Sequence, residues 1–79
     1  MTVEERVIKV IANAIHVEAA KIKADATFEE LGIDSLDGVY IVFGLEEEFN
    51  ITIPESMAQQ IKSVREAVNK LSEVVTAAP

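Results

Sequence analysis

A serine with a carboxylate on either side is the part of this chain best suited to chemistry. Ser35 follows Asp34 and precedes Asp37 in the segment LGIDSLD. Asp34 is a typical helix N-cap, which predicts Ser35 at the first position of a helix. The unpaired N–H groups and the dipole of a helix N-terminus favour a phosphate there. The segment therefore suits a covalently attached phosphate group better than an active site.

A hydrolytic triad is the competing chemistry, and the sequence argues against it. His16 is the only histidine, lies in a different segment from Ser35 and is predicted at a helix end. A chain of 79 residues leaves little room for a substrate pocket with oriented donors. The chain has no cysteine, and no loop has the acidic spacing of an EF-hand. We therefore expect no enzyme activity and no metal site.

Acidity is concentrated in the middle of the chain. The net charge is -7, and no Lys or Arg lies between Lys23 and Lys62, a stretch that contains nine acids. We expect these acids to lack counterions. Nucleic acid is excluded as a partner because binding a phosphate backbone needs clustered cations. Partners with basic patches are favoured.

Hydropathy indicates a folded protein without a membrane span. Hydrophobic residues make up 49% of the chain, but no apolar run approaches membrane-spanning length, and charged residues at positions 4–6 interrupt any signal-peptide pattern. We expect a cytoplasmic monomer. It is predicted to be a single domain over residues 1–79, with residues 76–79 as a frayed tail.

Helical spacing and capping signals predict an all-α fold, a small four-helix bundle. A capping box at Thr2–Glu5 opens helix one, and His16 is expected in a left-handed conformation at its end. A second capping box, Ser63–Glu66, opens helix four. Three longer helices, a short third helix and a long first loop (17–33) are predicted, with the first three helices at residues 3–15, 35–49 and 55–60.

Helix two is apolar on more than one face. A stripe of residues at helical spacing is predicted to be buried: Gly38, Ile41, Val42, Leu45 and Phe49. Leu36, Tyr40 and Phe43 lie off that stripe, and we expect part of them to form an exposed strip beside Asp37 and Glu47. Docking of a partner is favoured for Tyr40, whereas Phe43 is equally consistent with docking and with packing against the long loop. Gly38 and Gly44 allow three explanations: close approach of another group to the helix, an enlarged interior of the protein, or a well-packed helix that tolerates glycine.

The combination of LGIDSLD, the apolar run and LEEEF resembles the acyl carrier proteins, and the likeness extends over nearly the whole chain. The resemblance implies that Asp34-Ser35-Leu36 is the attachment motif and that Ser35 carries 4'-phosphopantetheine in phosphodiester linkage. A separate phosphopantetheinyl transferase would add the group from coenzyme A. Its terminal thiol would hold acyl groups as thioesters for acyl-transfer and synthase enzymes of fatty-acid or related lipid and polyketide synthesis.

The resemblance also suggests roles for other residues. Partner enzymes with basic docking patches would contact helix two at Asp37, Tyr40, Phe43, Gly44 and Glu47. The resemblance implies that an acyl chain is sheltered between the helices. Helical periodicity suggests the residues that would line this shelter: Val7, Ile11, Phe28, Val42, Leu45, Ile61 and Leu71.

Several residues depart from the family pattern. Tyr40 replaces a common acid, Phe43-Gly44 replaces Met-Ala, and His16 stands where glycine is common. We expect this chain to function less well with the enzymes of ordinary fatty-acid synthesis and to act in a specialised pathway. The alternative function is an unmodified helical adaptor that docks a basic partner through helix two.

Overall fold

The computed structural model describes the backbone of residues 2–77 and the side chains of residues 2–74. It contains four α-helices and one turn of 3-10 helix, Ala19–Lys21: α1 is Val3–Ile15, α2 is Ser35–Phe49, α3 is Glu55–Ala58 and α4 is Val64–Ala77. Over this range the only β-type pairing is an isolated bridge between Thr27 and Ser63. The predicted all-α bundle is therefore confirmed.

Local capping sets the ends of the two helices that position Ser35. Thr2 and Glu5 form the predicted reciprocal capping box at the start of α1, which ends at His16 in the left-handed conformation (φ 58°). Asp34 caps α2, and Asn50 ends it, also in the left-handed conformation (φ 54°). His and Asn adopt this conformation more readily than most non-glycine residues. These boundaries confirm the sequence predictions.

The core lies between α1, α2 and α4. The largest side chains that are completely removed from solvent are Val7, Ile11, Ile41, Leu45, Val64 and Leu71. Two come from each of these helices, and their burial provides the main favourable contribution to folding.

Backbone hydrogen bonds tie the long first loop to the chain entering α4. The Phe28 N–H donates to the Lys62 carbonyl at 2.9 Å, and the Val64 N–H donates to the Ala26 carbonyl at 3.0 Å. They flank the bridge between Thr27 and Ser63. We call this pairing of residues 26–28 with 62–64 the clasp. It fixes the segment that leads into Ser35, and Phe28, Leu31 and Ile33 of the loop pack against the core.

The shorter helices differ from the prediction at their ends. The third helix stops at Ala58 instead of Gln60, because Ile61 is buried and Lys62 is paired in the clasp. Helix four continues to Ala77, so Thr76 and Ala77 are helical and not part of a frayed tail. Residues 78–79, and the side chain of Val75, lie outside the described residues.

An ion pair between α1 and α2 corrects the expectation that the central acids lack counterions. Arg6 Nε lies 2.9 Å from Glu48 Oε2, and Arg6 Nη2 donates to the Glu48 carbonyl at 2.7 Å. The guanidinium also sits 4.2 Å from the centre of the Phe49 ring. The Glu46 carboxylate also has a partner, because it accepts a hydrogen bond from the Ile53 N–H at 2.8 Å.

Candidate functional site

Ser35 lies exposed at the first position of α2, as the sequence predicts. The Asp34 carboxylate accepts the Asp37 N–H at 2.9 Å, which satisfies one of the free donors of this helix end. The chain approaching Ser35 turns at Gly32, whose φ of 72° favours glycine. The serine hydroxyl therefore lies at a capped, accessible helix start.

An apolar groove of about 500 Å³ begins at Ser35 and runs between α2, α3 and the clasp. Gly38 lies one turn beyond Ser35 in this groove, and a Cβ placed there would meet nothing within 4 Å. The space beside Ser35 is therefore open to a chain attached to its hydroxyl. Most of the lining is apolar: Phe28, Ile33, Val39, Val42, Phe43, Ala58 and Ile61.

The predicted acyl-binding residues divide into two groups. Phe28, Val42 and Ile61 line the groove that starts at Ser35. The other four do not line it and are completely buried in the core: Val7, Ile11, Leu45 and Leu71. Helical periodicity identifies core-facing positions, and it cannot separate a filled core from a groove lining.

The exposed face of α2 is an apolar ridge made by Leu36, Tyr40 and Phe43, which we call the ridge. Their side chains are 61%, 57% and 56% exposed, respectively. Phe43 is therefore not covered by the long loop, the alternative that the sequence left open. Asp37 and Glu47 flank the ridge along α2.

A second groove, of about 720 Å³, lies on the other flank of the ridge, between α1 and α2; we call it the α1–α2 groove. It is lined from α1 and its cap by Val10, Asn13, Ala14 and His16, and from α2 by Asp37, Tyr40, Gly44, Glu47 and Glu48. Predicted docking residues thus separate between the two grooves: Phe43 borders the Ser35 groove, and the others border this one.

Gly44 lies where α1 approaches α2 closely, which is one of the three explanations that the sequence left open. It does not project from the ridge, because a Cβ at this residue would lie 2.7 Å from Val10 Cγ1. The close approach of α1 to α2 accounts for this glycine and makes its backbone part of the groove floor.

Hydrogen bonds lower the pKa of three carboxyl groups. Arg6 lowers the pKa of Glu48, and the Thr2 and Thr27 N–H groups lower the pKa of Glu5 and Glu30, respectively. Glu30 and Thr27 form a capping-type pair that opens turns in the loop and no helix. The T-x-x-E spacing of Thr27 and Glu30 is a sequence signal from which this pair could have been predicted.

The sequence analysis did not identify Gly38, Val39 and Ala58 as groove residues. Positions 35, 38, 39 and 42 share one face of a helix, and this spacing was the available signal.

Two comparisons with known proteins show what this chain is similar to. Residues 5–71 match the family model described as "Phosphopantetheine attachment site". Over 59 residues, or 75% of this chain, the sequence is 51% identical to "Acyl carrier protein 1, chloroplastic" of Hordeum vulgare. The match covers 40% of that relative's length. The resemblance predicted from LGIDSLD and LEEEF is thereby confirmed.

None of the helices within residues 2–77 is long and apolar enough to cross a membrane. The chain belongs to the acyl carrier protein family, whose phosphopantetheine attachment domain its residues 5–71 match, and its cofactor is covalently attached 4'-phosphopantetheine.

Proposed function

We propose that Ser35 is the attachment residue and that the chain delivers acyl groups to enzymes of fatty-acid or related lipid and polyketide synthesis. The observation that supports this most strongly is the position of an exposed serine, at a capped helix start, on the rim of an apolar groove. The attached 4'-phosphopantetheine would supply a terminal thiol that holds an acyl chain as a thioester.

The residues around Ser35 fit such a group. The first turn of α2 offers N–H groups and a positive dipole end to a phosphodiester, and Asp34 occupies only the Asp37 N–H. The empty space at Gly38 admits a chain into the groove. Ser35 itself needs no base within this chain, because the transferase would activate the hydroxyl.

Mass spectrometry tests the attachment residue. The full chain is incubated with coenzyme A, Mg²⁺ and a broad-specificity phosphopantetheinyl transferase, and its intact mass is compared with that of Ser35→Ala. We expect the wild type to gain one phosphopantetheine and Ser35→Ala to gain none. Ser56→Ala, which removes another exposed serine, is the matched control and should be modified normally.

The outcomes of this experiment separate the two candidate functions. A folded wild-type chain that gains no mass would contradict the carrier proposal and favour the unmodified adaptor. Mass gain in Ser35→Ala would move the attachment to another residue. Circular dichroism of each variant establishes that it is folded.

The groove that starts at Ser35 is the proposed shelter for the acyl chain. Phe28, Val42 and Ile61 present apolar surface next to the attachment residue, whereas the core residues are already packed against one another. In the acyl-loaded protein, we expect nuclear Overhauser contacts from the acyl chain to Val42 and Ile61, and none to Val7 or Leu71. Contacts to Leu71 would show instead that the core opens.

The proposed partners are the phosphopantetheinyl transferase and acyl-transfer enzymes with basic docking patches. Asp37 and Glu47 offer exposed or half-exposed carboxylates beside the ridge, and the ridge offers apolar area that a partner can cover. Tyr40 in place of an acid supports the proposal of a specialised pathway. Tyr40→Glu should raise acyl transfer by housekeeping fatty-acid enzymes, and an unchanged rate would argue against it.

The compartment stays a prediction. The sequence pattern favours the cytoplasm, whereas the barley relative is named as chloroplastic.

A further inference from the structure

A very short helix forms one wall of the groove at Ser35. This wall consists of α3 and the residue that ends it, which contribute Glu55, Ala58 and Gln59 to the lining. The helix has only four residues, and its N-cap, Pro54, makes no side-chain capping hydrogen bond. A helix this short is marginal by itself, because its first turn costs more conformational entropy than its few hydrogen bonds return. The chain segments on either side of α3 therefore set the position of the wall.

The segment that follows α3 is anchored by burial and by the clasp. The Ile61 side chain is buried in the core. The backbone carbonyl of the next residue, Lys62, accepts the Phe28 N–H at 2.9 Å. These contacts fix the C-terminal side of the wall against the core and the long first loop.

The segment that precedes α3, residues 50–53, is anchored by one residue of α2, Glu46; we call this segment the linker. The Glu46 backbone carbonyl accepts the N–H groups of Asn50 and Ile51 at the end of α2. The Glu46 carboxylate accepts the Ile53 N–H at 2.8 Å in a partly buried contact. A hydrogen bond to an ionised acceptor is stronger than one between neutral groups. Glu46 thus holds the linker at both its start and its end.

The bond to Ile53 determines where α3 begins. The Ile53 side chain is buried in the core, so this residue is held by the core on one side and by the carboxylate on the other. Pro54 follows directly, with its φ of -63° fixed by the ring. The Pro54 carbonyl accepts the N–H groups of Met57 and Ala58 at 3.0 and 2.9 Å. A rigid connection therefore leads from the Glu46 carboxylate to the first turn of α3.

We infer that Glu46 is a positioning residue for the Ser35 groove, whose carboxylate sets the distance between α2 and the α3 wall through the Ile53 N–H. Glu46 lies one helical turn after Val42, which lines the groove from α2, but Glu46 is not itself a lining residue. The inference rests on the proposed function for the identity of the occupant as an acyl chain. It assigns control of the groove width to a residue outside the groove.

Three variants of the full-length chain test this role. Glu46→Ala removes the acceptor of the Ile53 N–H, whereas Glu46→Gln removes the charge and keeps a side-chain oxygen that can accept it. Glu48→Ala is the matched control, because it removes another acid of α2 whose partner, Arg6, lies on α1. General destabilisation should appear in both alanine variants, whereas displacement of α3 should appear only in Glu46→Ala.

Amide exchange with deuterium, followed by nuclear magnetic resonance, is measured first on the unmodified proteins. In Glu46→Ala, exchange at Ile53, Met57 and Ala58 should be about tenfold or more faster than in the wild type, because a hydrogen bond to a charged group is lost. Glu46→Gln should restore part of the protection, and Glu48→Ala should keep wild-type rates at these amides. Unchanged rates in Glu46→Ala, or equal acceleration in both alanine variants, would overturn the inference.

The acyl-loaded protein tests the groove itself. The transferase transfers the octanoyl-phosphopantetheine group of octanoyl-coenzyme A to Ser35, and the intact mass establishes the loading. In the wild type and Glu48→Ala, nuclear Overhauser contacts from the acyl chain should reach both Val42 on α2 and Ala58 on α3. In Glu46→Ala, the contacts to Ala58 should be lost while those to Val42 remain. Contacts to Ala58 that persist in Glu46→Ala would overturn the inference.

The two proposals can fail separately. If the folded wild type gains no mass, the attachment proposal is contradicted, and amide exchange in the unmodified proteins still tests the role of Glu46. If loading is normal but Glu46→Ala keeps wild-type exchange rates and contacts to Ala58, only the role of Glu46 is contradicted.

Discussion

At the residue scale, Asp34 has a structural role and carries a charge, and the two can be separated by substitution. Its carboxylate accepts the Asp37 N–H at 2.9 Å. Asp34→Ala removes the cap and should lower the free energy of unfolding by about 1 kcal/mol, as typical for an N-cap. Asp34→Asn keeps a capping side chain while removing the charge, so it should remain close to wild type. Urea unfolding measures both, and equal losses would show that charge matters more than capping.

The two glycines of α2 offer a second residue-scale comparison, because alanine should have opposite effects at them. At Gly38 an added Cβ meets nothing, so Gly38→Ala should stabilise the protein by up to about 1 kcal/mol through helix propensity. At Gly44 it would meet Val10 Cγ1 at 2.7 Å. Overpacking there costs about 1–3 kcal/mol and outweighs the same gain.

The role of Val10 at Gly44 can be tested directly, because Val10 Cγ1 is the atom that an added Cβ would meet. In a Val10→Ala background, Gly44→Ala should cost less than it does in the wild type, which denaturant unfolding of the four proteins would measure. A cost that is unaffected by Val10→Ala would show that the strain lies elsewhere.

At the element scale, the Arg6–Glu48 ion pair joins α1 to the end of α2, and its contribution depends on pH. Arg6 lowers the pKa of Glu48 from its ordinary value of 4.5 in the folded protein. A carboxyl whose pKa is lower in the folded state stabilises fully above its unfolded pKa. That stabilisation should be lost as pH falls below about 4.5 and through the lowered value.

Thermal unfolding between pH 7 and pH 3 measures this loss. Glu48→Gln should reduce the pH dependence of the midpoint relative to wild type. Glu47→Gln, a change of the same charge at the adjacent exposed residue, should not reproduce that reduction. Parallel curves for the two variants would exclude the ion pair as the source.

Element boundaries could be predicted from the sequence where the signals are local. Thr2, His16, Asp34 and Asn50 act within a few residues of the helix ends that they define. The third helix was predicted to be too long because its end is set by the clasp, a contact with residues far away in sequence. The Ser35 position followed from the motif, whereas both grooves depend on how α1 and α3 pack against α2.

At the scale of the whole molecule, charge repulsion opposes folding. Among the described side chains, Glu48 is the only one of the nine central acids in an ion pair, and the net charge of -7 remains. Moderate NaCl, or a divalent cation at lower ionic strength, should therefore raise the unfolding midpoint by screening. Differential scanning calorimetry over a salt series measures it. A flat response would mean that repulsion is negligible.

The clasp makes the chain from Ala26 to Val64 a closed ring that contains both α2 and α3. Phe28 and Lys62 belong to the clasp and also line the groove at Ser35. A ligand that fills that groove, or that pushes its walls apart, therefore changes the stability of the clasp. The exchange rates of the Phe28 and Val64 amide protons with deuterium therefore report whether the groove is occupied. Exchange should be faster when the bound group weakens the clasp and slower when it stabilises the clasp.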